Sequence, residues 1–269
     1  MKKFLRTEIL MNYQAVFWDW NGTLLDDTQA NIDAVNVSLA KRNLPFLTNE
    51  FHAEHFAFPI QNYYEAIGFD FTKESYADLA DEFITNYLAQ NYGLRKNAKK
   101  TLEKLFLNSV KQYILSACEK NILLEALDKY GLKCFFTDII ALDNVHAVSK
   151  IEAGKAYLAE HRPDGKILMV GDTHHDIEVA TALGMDCVLI RSGNLSERRL
   201  QETGVKVVDD IYDVVDIVLG TKKGKRTDFM TPEKAERRSF DLEETNRRFS
   251  EKYHDFYDEV KNTNKTEDW

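Results

Sequence analysis

Apolar positions along this chain follow two rhythms, and the change from one to the other divides it. Short continuous apolar runs, Ala15-Val16-Phe17-Trp18 first among them, are the mark of a strand buried on both faces. From Asp27 to about Arg95 the spacing is helical instead, with a first helix over 28–42, a break at Asn43-Leu44-Pro45 and shorter helical pieces up to Tyr92-Gly93. That block predicts no strand. After Gly93 helix and strand alternate: helices over 97–107, 120–130, 151–161 and 176–183, strands over 112–115, 135–142, 166–170, 187–190 and 205–208. Apolar strands separated by helices build a parallel sheet covered on both faces. Sites in such sheets open at the carboxyl ends of the strands. Asp19, Ser116 and Asp172 each stand just past a predicted strand, so three stretches of chain should meet along one edge.

The helical block is rich in aromatics, Phe56, Phe58, Tyr63, Tyr64, Phe83 and Tyr87 among them, most of which are expected to form the core of a small bundle. Beyond residue 220 the composition turns polar and charged, with 12 basic and 12 acidic residues in 221–269. Leu242, Phe249, Tyr253, Phe256 and Val260 nevertheless lie on one helical face there, a stripe suited to docking on the chain's own core or on a partner. The expected organisation is therefore a Rossmann-like parallel α/β core in residues 1–26 and 96–220. A helical cap would fill 27–95, and a helical or partly disordered tail 221–269.

The net charge of -9 lies wholly outside the balanced tail and argues against nucleic acid or an anionic membrane surface as partner. Cys118, Cys134 and Cys187 show no paired or metal-ligand spacing and read as buried thiols of a reducing cytoplasm. The first eight residues begin like a signal peptide, but Arg6 and Glu8 break the apolar stretch that should follow. With Met11 just ahead of the first strand, residues 1–10 read as an extension or a mis-assigned start. No segment has the ~20 apolar residues of a membrane helix.

Gly171-Asp172-Thr173-His174-His175-Asp176 follows a strand and opens a helix. Two carboxylates four residues apart across a first helical turn can face one point, an arrangement suited to a hard cation such as Mg²⁺. The alternative is that one of these acids merely caps the helix. A third carboxylate, Asp19, on the same edge shifts the balance, because three uncompensated acids would repel one another without a cation.

These residues together resemble the haloacid dehalogenase-like superfamily of aspartate-nucleophile phosphotransferases, and within it the phosphoglycolate-phosphatase-like members. Asp19-Trp20-Asn21-Gly22-Thr23 is similar to the first motif, Ser116 to the second, Lys150 to the third and Gly171 to Asp176 to the fourth. The helical block is similar to that family's cap. The resemblance implies that Asp19 attacks phosphorus to form an aspartyl-phosphate. It implies that Asp19, the main-chain carbonyl of Asn21 and Asp172 hold Mg²⁺, with Asp176 binding directly or through water. Ser116 and Lys150 would stabilise the transferring phosphoryl group. The substrate would be a small phosphorylated metabolite, read by the aromatic segment 55–59 with Tyr63 and Tyr64. Arg191-Ser192-Gly193 could also approach the phosphate.

One position departs from the pattern. Phosphatases of the family carry a second aspartate two residues after the nucleophile, acting as general acid and base; here it is Asn21. An amide cannot exchange a proton near neutral pH, so turnover should be slow unless His174, His175 or another group substitutes. The rival expectation is an impaired enzyme that serves as a binding or regulatory protein on the same scaffold. Carbon–halogen or carbon–phosphorus cleavage is disfavoured by the paired Asp172 and Asp176 and by the lack of an evident Schiff-base lysine in the cap.

Overall fold

A computed structural model describes residues 11–142 and 149–221. Residues 1–10 and the tail stripe from Leu242 to Val260 lie outside the described residues. β1 (Ala15–Trp18) is buried along its whole length. Because successive residues of a strand face opposite ways, Val16 and Trp18 enter one apolar cluster and Ala15 and Phe17 the other. That two-sided burial is why the run is continuously apolar rather than alternating.

β1 sits inside a six-stranded sheet with β4 (Lys111–Glu119), β5 (Asp138–Leu142), β6 (Ile167–Gly171), β7 (Asp186–Ile190) and β8 (Lys206–Val208), in the order β5-β4-β1-β6-β7-β8. Every neighbouring pair is parallel. Leu102 and Leu105 of α5 (Ala98–Leu107), Leu123 and Leu127 of α6 (Lys120–Tyr130) and Val214 of α10 (Asp213–Leu219) pack on the face of Val16 and Trp18. Leu158 of α7 (Lys150–His161), Ile177 and Leu183 of α8 (His174–Leu183) and Leu200 of α9 (Glu197–Thr203) pack on the other. The Trp18 indole N–H donates to Gln112 Oε1 at 3.1 Å, and the Gln112 amide donates to the Leu102 carbonyl at 2.9 Å. A buried glutamine is thus satisfied at both ends.

Between β1 and β4 the chain forms α1 (Thr28–Lys41), α2 (Asn49–His55), α3 (Ile60–Ala66) and α4 (Tyr76–Leu88), with their own apolar cluster built on Leu39, Tyr63, Phe69 and Leu79. The block is not free of strand as its pattern predicts. Leu25–Asp26 (β2) and Gly93–Leu94 (β3) pair antiparallel where the chain leaves and re-enters the core. Two residues per strand are too few for a periodicity to register. The cysteines also differ from expectation: Cys187 is buried and Cys118 partly so, but Cys134 is exposed on the short turn after α6. No helix of the described residues is long and apolar enough to cross a membrane.

Candidate active site

The chain leaves β1 at Asp19 and turns sharply through Trp20–Leu24. The turn depends on Gly22, whose φ of +72° is costly for other residues. A Cβ there would lie 2.2 Å from Asp172 Oδ2, so glycine also lets the loop approach the end of β6. Arg95 clamps the loop from the far side, donating from Nη2 to the Gly22 carbonyl at 2.6 Å and from Nε to the Thr23 carbonyl at 2.9 Å.

Asp19, Asp172 and Asp176 are brought together as expected, each offering an oxygen within 4.8 Å of the others. They differ in what already occupies them. Asp176 is the most engaged: one oxygen accepts from the N–H groups of Asp172 and Thr173 and from the Thr173 hydroxyl, each at 3.0 Å, and the other accepts from Lys150. Gly171 makes this possible, since a Cβ there would fall 2.1 Å from Asp176 Cγ. Asp172 Oδ2 accepts from Ser192 Oγ at 2.7 Å and Asn194 Nδ2 at 2.6 Å, whereas Oδ1 meets Thr23 Oγ1 at 3.4 Å.

Lys150, the first residue of α7, is buried and its ammonium bridges Asp19 and Asp176 at 2.7 Å each. Burial opposes its charge, but the two carboxylates outweigh that and hold its pKa above the ordinary lysine value. Burial pushes Asp19 up to about 6 against the pull of Lys150, with the charge of Asp176 adding to the rise. Burial raises Asp172 well above the ordinary carboxylate range, with the charges of Asp176 and Asp19 adding to the rise. Burial also opposes ionisation of Asp176, but Lys150 and the two backbone N–H groups override it and keep its pKa low. Such a cluster is short of positive charge, the condition a divalent cation relieves.

Ser116 lies within β4 and faces the same cavity as Asp19, Asn21 and Lys150, its Oγ accepting from the Cys118 N–H at 3.1 Å. Asn21 donates from Nδ2 to Asp27 Oδ2 at 2.6 Å and to the Tyr87 hydroxyl at 3.2 Å. Asp27 also accepts the Gly22 N–H at 2.6 Å and the Tyr87 O–H at 2.7 Å.

Several contributors escaped the sequence. Asn194 follows β7 and, with Ser192, holds Asp172; its only signal was that polar residues follow an apolar strand. Of the segment 191–193, it is Ser192 that reaches the site, while Arg191 pairs with Asp209 at 2.7 Å and with Glu197. Asp27, Tyr87 and Arg95 lay hidden inside helical patterning or beyond it. His52 on α2 reaches across to the core, with Nε2 2.9 Å from Asn194 Oδ1 and Nδ1 2.9 Å from the Tyr63 hydroxyl. Because the Asn194 amide nitrogen is taken by Asp172, its oxygen must accept, which sets His52 as the Nε2–H tautomer. Of the two candidate substitute bases, His175 lines the cavity, its ring tilted against Phe58 with centroids 4.7 Å apart and Nδ1 3.1 Å from Glu178. His174 is instead held within 3.4 Å of Arg199, and burial, aided by that arginine, lowers its pKa to about 4.

A parallel sheet that gathers three carboxylates and a lysine at its carboxyl edge beneath inserted helices defines a class of protein. The chain belongs to the haloacid dehalogenase-like hydrolases, whose family model matches residues 16–190. No curated protein matches it. Among solved structures it is similar to the haloacid dehalogenase-like family protein SP0104 of Streptococcus pneumoniae (18% identity, TM-score 0.64, 76% of this chain and 97% of that one). It is also similar to a predicted phosphoglycolate phosphatase of Haemophilus somnus (18%, TM-score 0.61, 77% and 99%). A third is protein tyrosine kinase A of Mycobacterium tuberculosis (22%, TM-score 0.64, 78% and 99%). At these identities the likeness speaks to the fold.

Proposed function

We propose that this protein is a Mg²⁺-dependent phosphatase that hydrolyses a small phosphomonoester through an aspartyl-phosphate on Asp19. The fold is shared with proteins named for phosphatase and for kinase activity, so the reaction has to be argued from the site. The observation that carries the reading is the buried Lys150 ammonium 2.7 Å from Asp19 and from Asp176, next to a third carboxylate. A lysine so placed orients the nucleophile and can neutralise the phosphoryl oxygens as charge develops on them.

The donor set fits Mg²⁺: Asp19 and Asp172 bring hard oxygen donors together, and the Asn21 main-chain carbonyl would join them in holding the ion. Asp176, with its oxygens committed to Lys150 and the α8 terminus, would act through water. When bound, the cation would supply positive charge that offsets the charge developing on the phosphoryl oxygens. Ser116 offers its hydroxyl proton to a phosphoryl oxygen, since its oxygen already accepts from Cys118. The inserted helices serve as the cap that excludes water and reads the leaving group.

Asn21 favours a second component of this reading, that the aspartyl-phosphate is hydrolysed slowly and could outlive the leaving group. General acid–base catalysis contributes ~10²- to 10⁴-fold, and the amide supplies none of it. The test is phosphate release from a panel of phosphomonoesters in Mg²⁺, comparing wild type with Asp19→Asn. Equal rates in the two would rule the proposal out.

A further inference from the structure

We propose that the substrate is an aryl phosphate, a monoester whose leaving oxygen sits on an uncharged aromatic ring. The inference rests on Asp19 as nucleophile and deepens that reading with two independent observations. The first is the setting of Asn21. Asp27 accepts from the amide nitrogen at 2.6 Å while also holding the Gly22 N–H and the Tyr87 O–H. The nitrogen is thereby turned to Asp27, and Oδ1 is left as the atom that can meet a ligand. An amide oxygen accepts hydrogen bonds; it can aim a water but cannot protonate a leaving oxygen. Departure is then easiest for an oxygen stable as an anion. A phenol has a pKa of about 10, whereas an alkyl alcohol lies near water, about 16.

The second observation is the cavity itself, about 400 Å³ and running from Asp19 and Lys150 into the inserted helices. Its outer wall is made by Val35, Phe56, Ile60, Tyr64, Phe83 and Ile84. Among the described residues lining it, each basic side chain is already engaged. Lys150 is bonded to two carboxylates, His52 to Tyr63 and Asn194, and His175 to Glu178. Glu119 adds a negative charge to the lining. A carboxylate or second phosphate on the leaving group would lose its hydration there without a cation in return. A flat apolar ring would meet aromatic faces and edges.

The steps balance without a proton donor. An Asp19 oxygen bonds to phosphorus as the bond to the leaving oxygen breaks, and the phenolate departs with the electron pair. Water, its O–H directed to Asn21 Oδ1, then attacks the phosphorus of the aspartyl-phosphate. Asp19 leaves as carboxylate, both water protons stay with the released phosphate, and the phenolate takes one proton from solvent.

The experiment compares kcat/KM in saturating Mg²⁺ for phenyl phosphate, benzyl phosphate and phosphoglycolate. The first two share a ring and differ in whether the leaving oxygen is phenolic or alcoholic; an enzyme that protonates this oxygen compresses the difference. Phenyl phosphate should exceed benzyl phosphate by ~10²-fold or more, with phosphoglycolate slowest. In the charge-conserving exchange Asn21→Asp with Asp27→Asn, benzyl phosphate should gain most and the ratio should narrow. Equal rates for the two ring esters, or phosphoglycolate as the best substrate, with Asp19 still becoming phosphorylated, would overturn the inference and leave the Asp19 reading standing. If no ester is hydrolysed and Asp19 is never phosphorylated, the underlying reading fails and the inference with it.

Discussion

Asn21, Asp27 and Tyr87 form one hydrogen-bonded unit, and its chemistry follows from where the carboxylate stands. Placing an acid at position 21 alone would set two carboxyl groups about as far apart as the present 2.6 Å contact, close enough to share a proton. Asn21→Asp should therefore raise turnover of an alkyl phosphate by less than the exchange with Asp27→Asn does, measured by steady-state phosphate release. Asn194 works on the other side of the site. It holds Asp172 at 2.6 Å and accepts from His52, and removal of such a partner costs ~10- to 100-fold in metal affinity or activity. Asn194→Ala should show that loss in a Mg²⁺ titration by calorimetry. His52 gives a pH signature. Burial, with Arg199 adding to it, pushes its pKa from 6.5 down to about 4, against the Asn194 hydrogen bond. Between those values the unfolded chain binds the proton and the fold does not, so stability falls as pH drops from about 6.5 towards 4. The ceiling is ~1.4 kcal/mol per pH unit for one group. Thermal melts of His52→Gln should be flatter over this window than those of wild type.

At the scale of elements, the loop after β1 joins a buried strand to a helix through one positive φ and one close approach, both at Gly22. Gly22→Ala should lose ~1–2 kcal/mol from the backbone alone. It should also displace Asp172, so that Mg²⁺ no longer raises the melting temperature. Tyr87 ties α4 to Asp27 at the start of α1, beside the Gly22 loop, a hydrogen bond to an acidic side chain worth ~1.5–3 kcal/mol. A loss of that size is expected for Tyr87→Phe in denaturant melts. The elements themselves were legible to different degrees. Asp19, Ser116 and Asp172 could be read because an apolar strand followed by small or acidic residues is a local signal, and they share one edge; Lys150, which bridges Asp19 and Asp176 there, had no such signal and was reached only through the family resemblance. α9 and α10 span only seven residues each and left no clear period. Partners such as Asn194 and His52 were illegible for another reason. Their contacts join residues 142 positions apart, and nothing local to either residue encodes the other.

At the scale of the whole molecule, the inserted helices are fastened to the core beside the site. The Ser196 N–H and Arg199 Nη1 donate to the Ala53 carbonyl at 2.9 and 3.0 Å, and Arg198 pairs with Glu54 at 2.6 Å. Together with the line Tyr63–His52–Asn194–Asp172, these contacts connect the wall that would read the leaving group to a carboxylate proposed to hold the cation. The central claim is that Asp19 carries the phosphoryl group and that Asn21 slows its release. Rapid quenching after mixing with phenyl phosphate and Mg²⁺, followed by mass spectrometry of the peptide containing residue 19, tests both parts. A burst of phenol matched by phosphate on Asp19, absent in Asp19→Asn, is the expected result. Phenol released over many turnovers with residue 19 never modified, or released equally by Asp19→Asn, would contradict it.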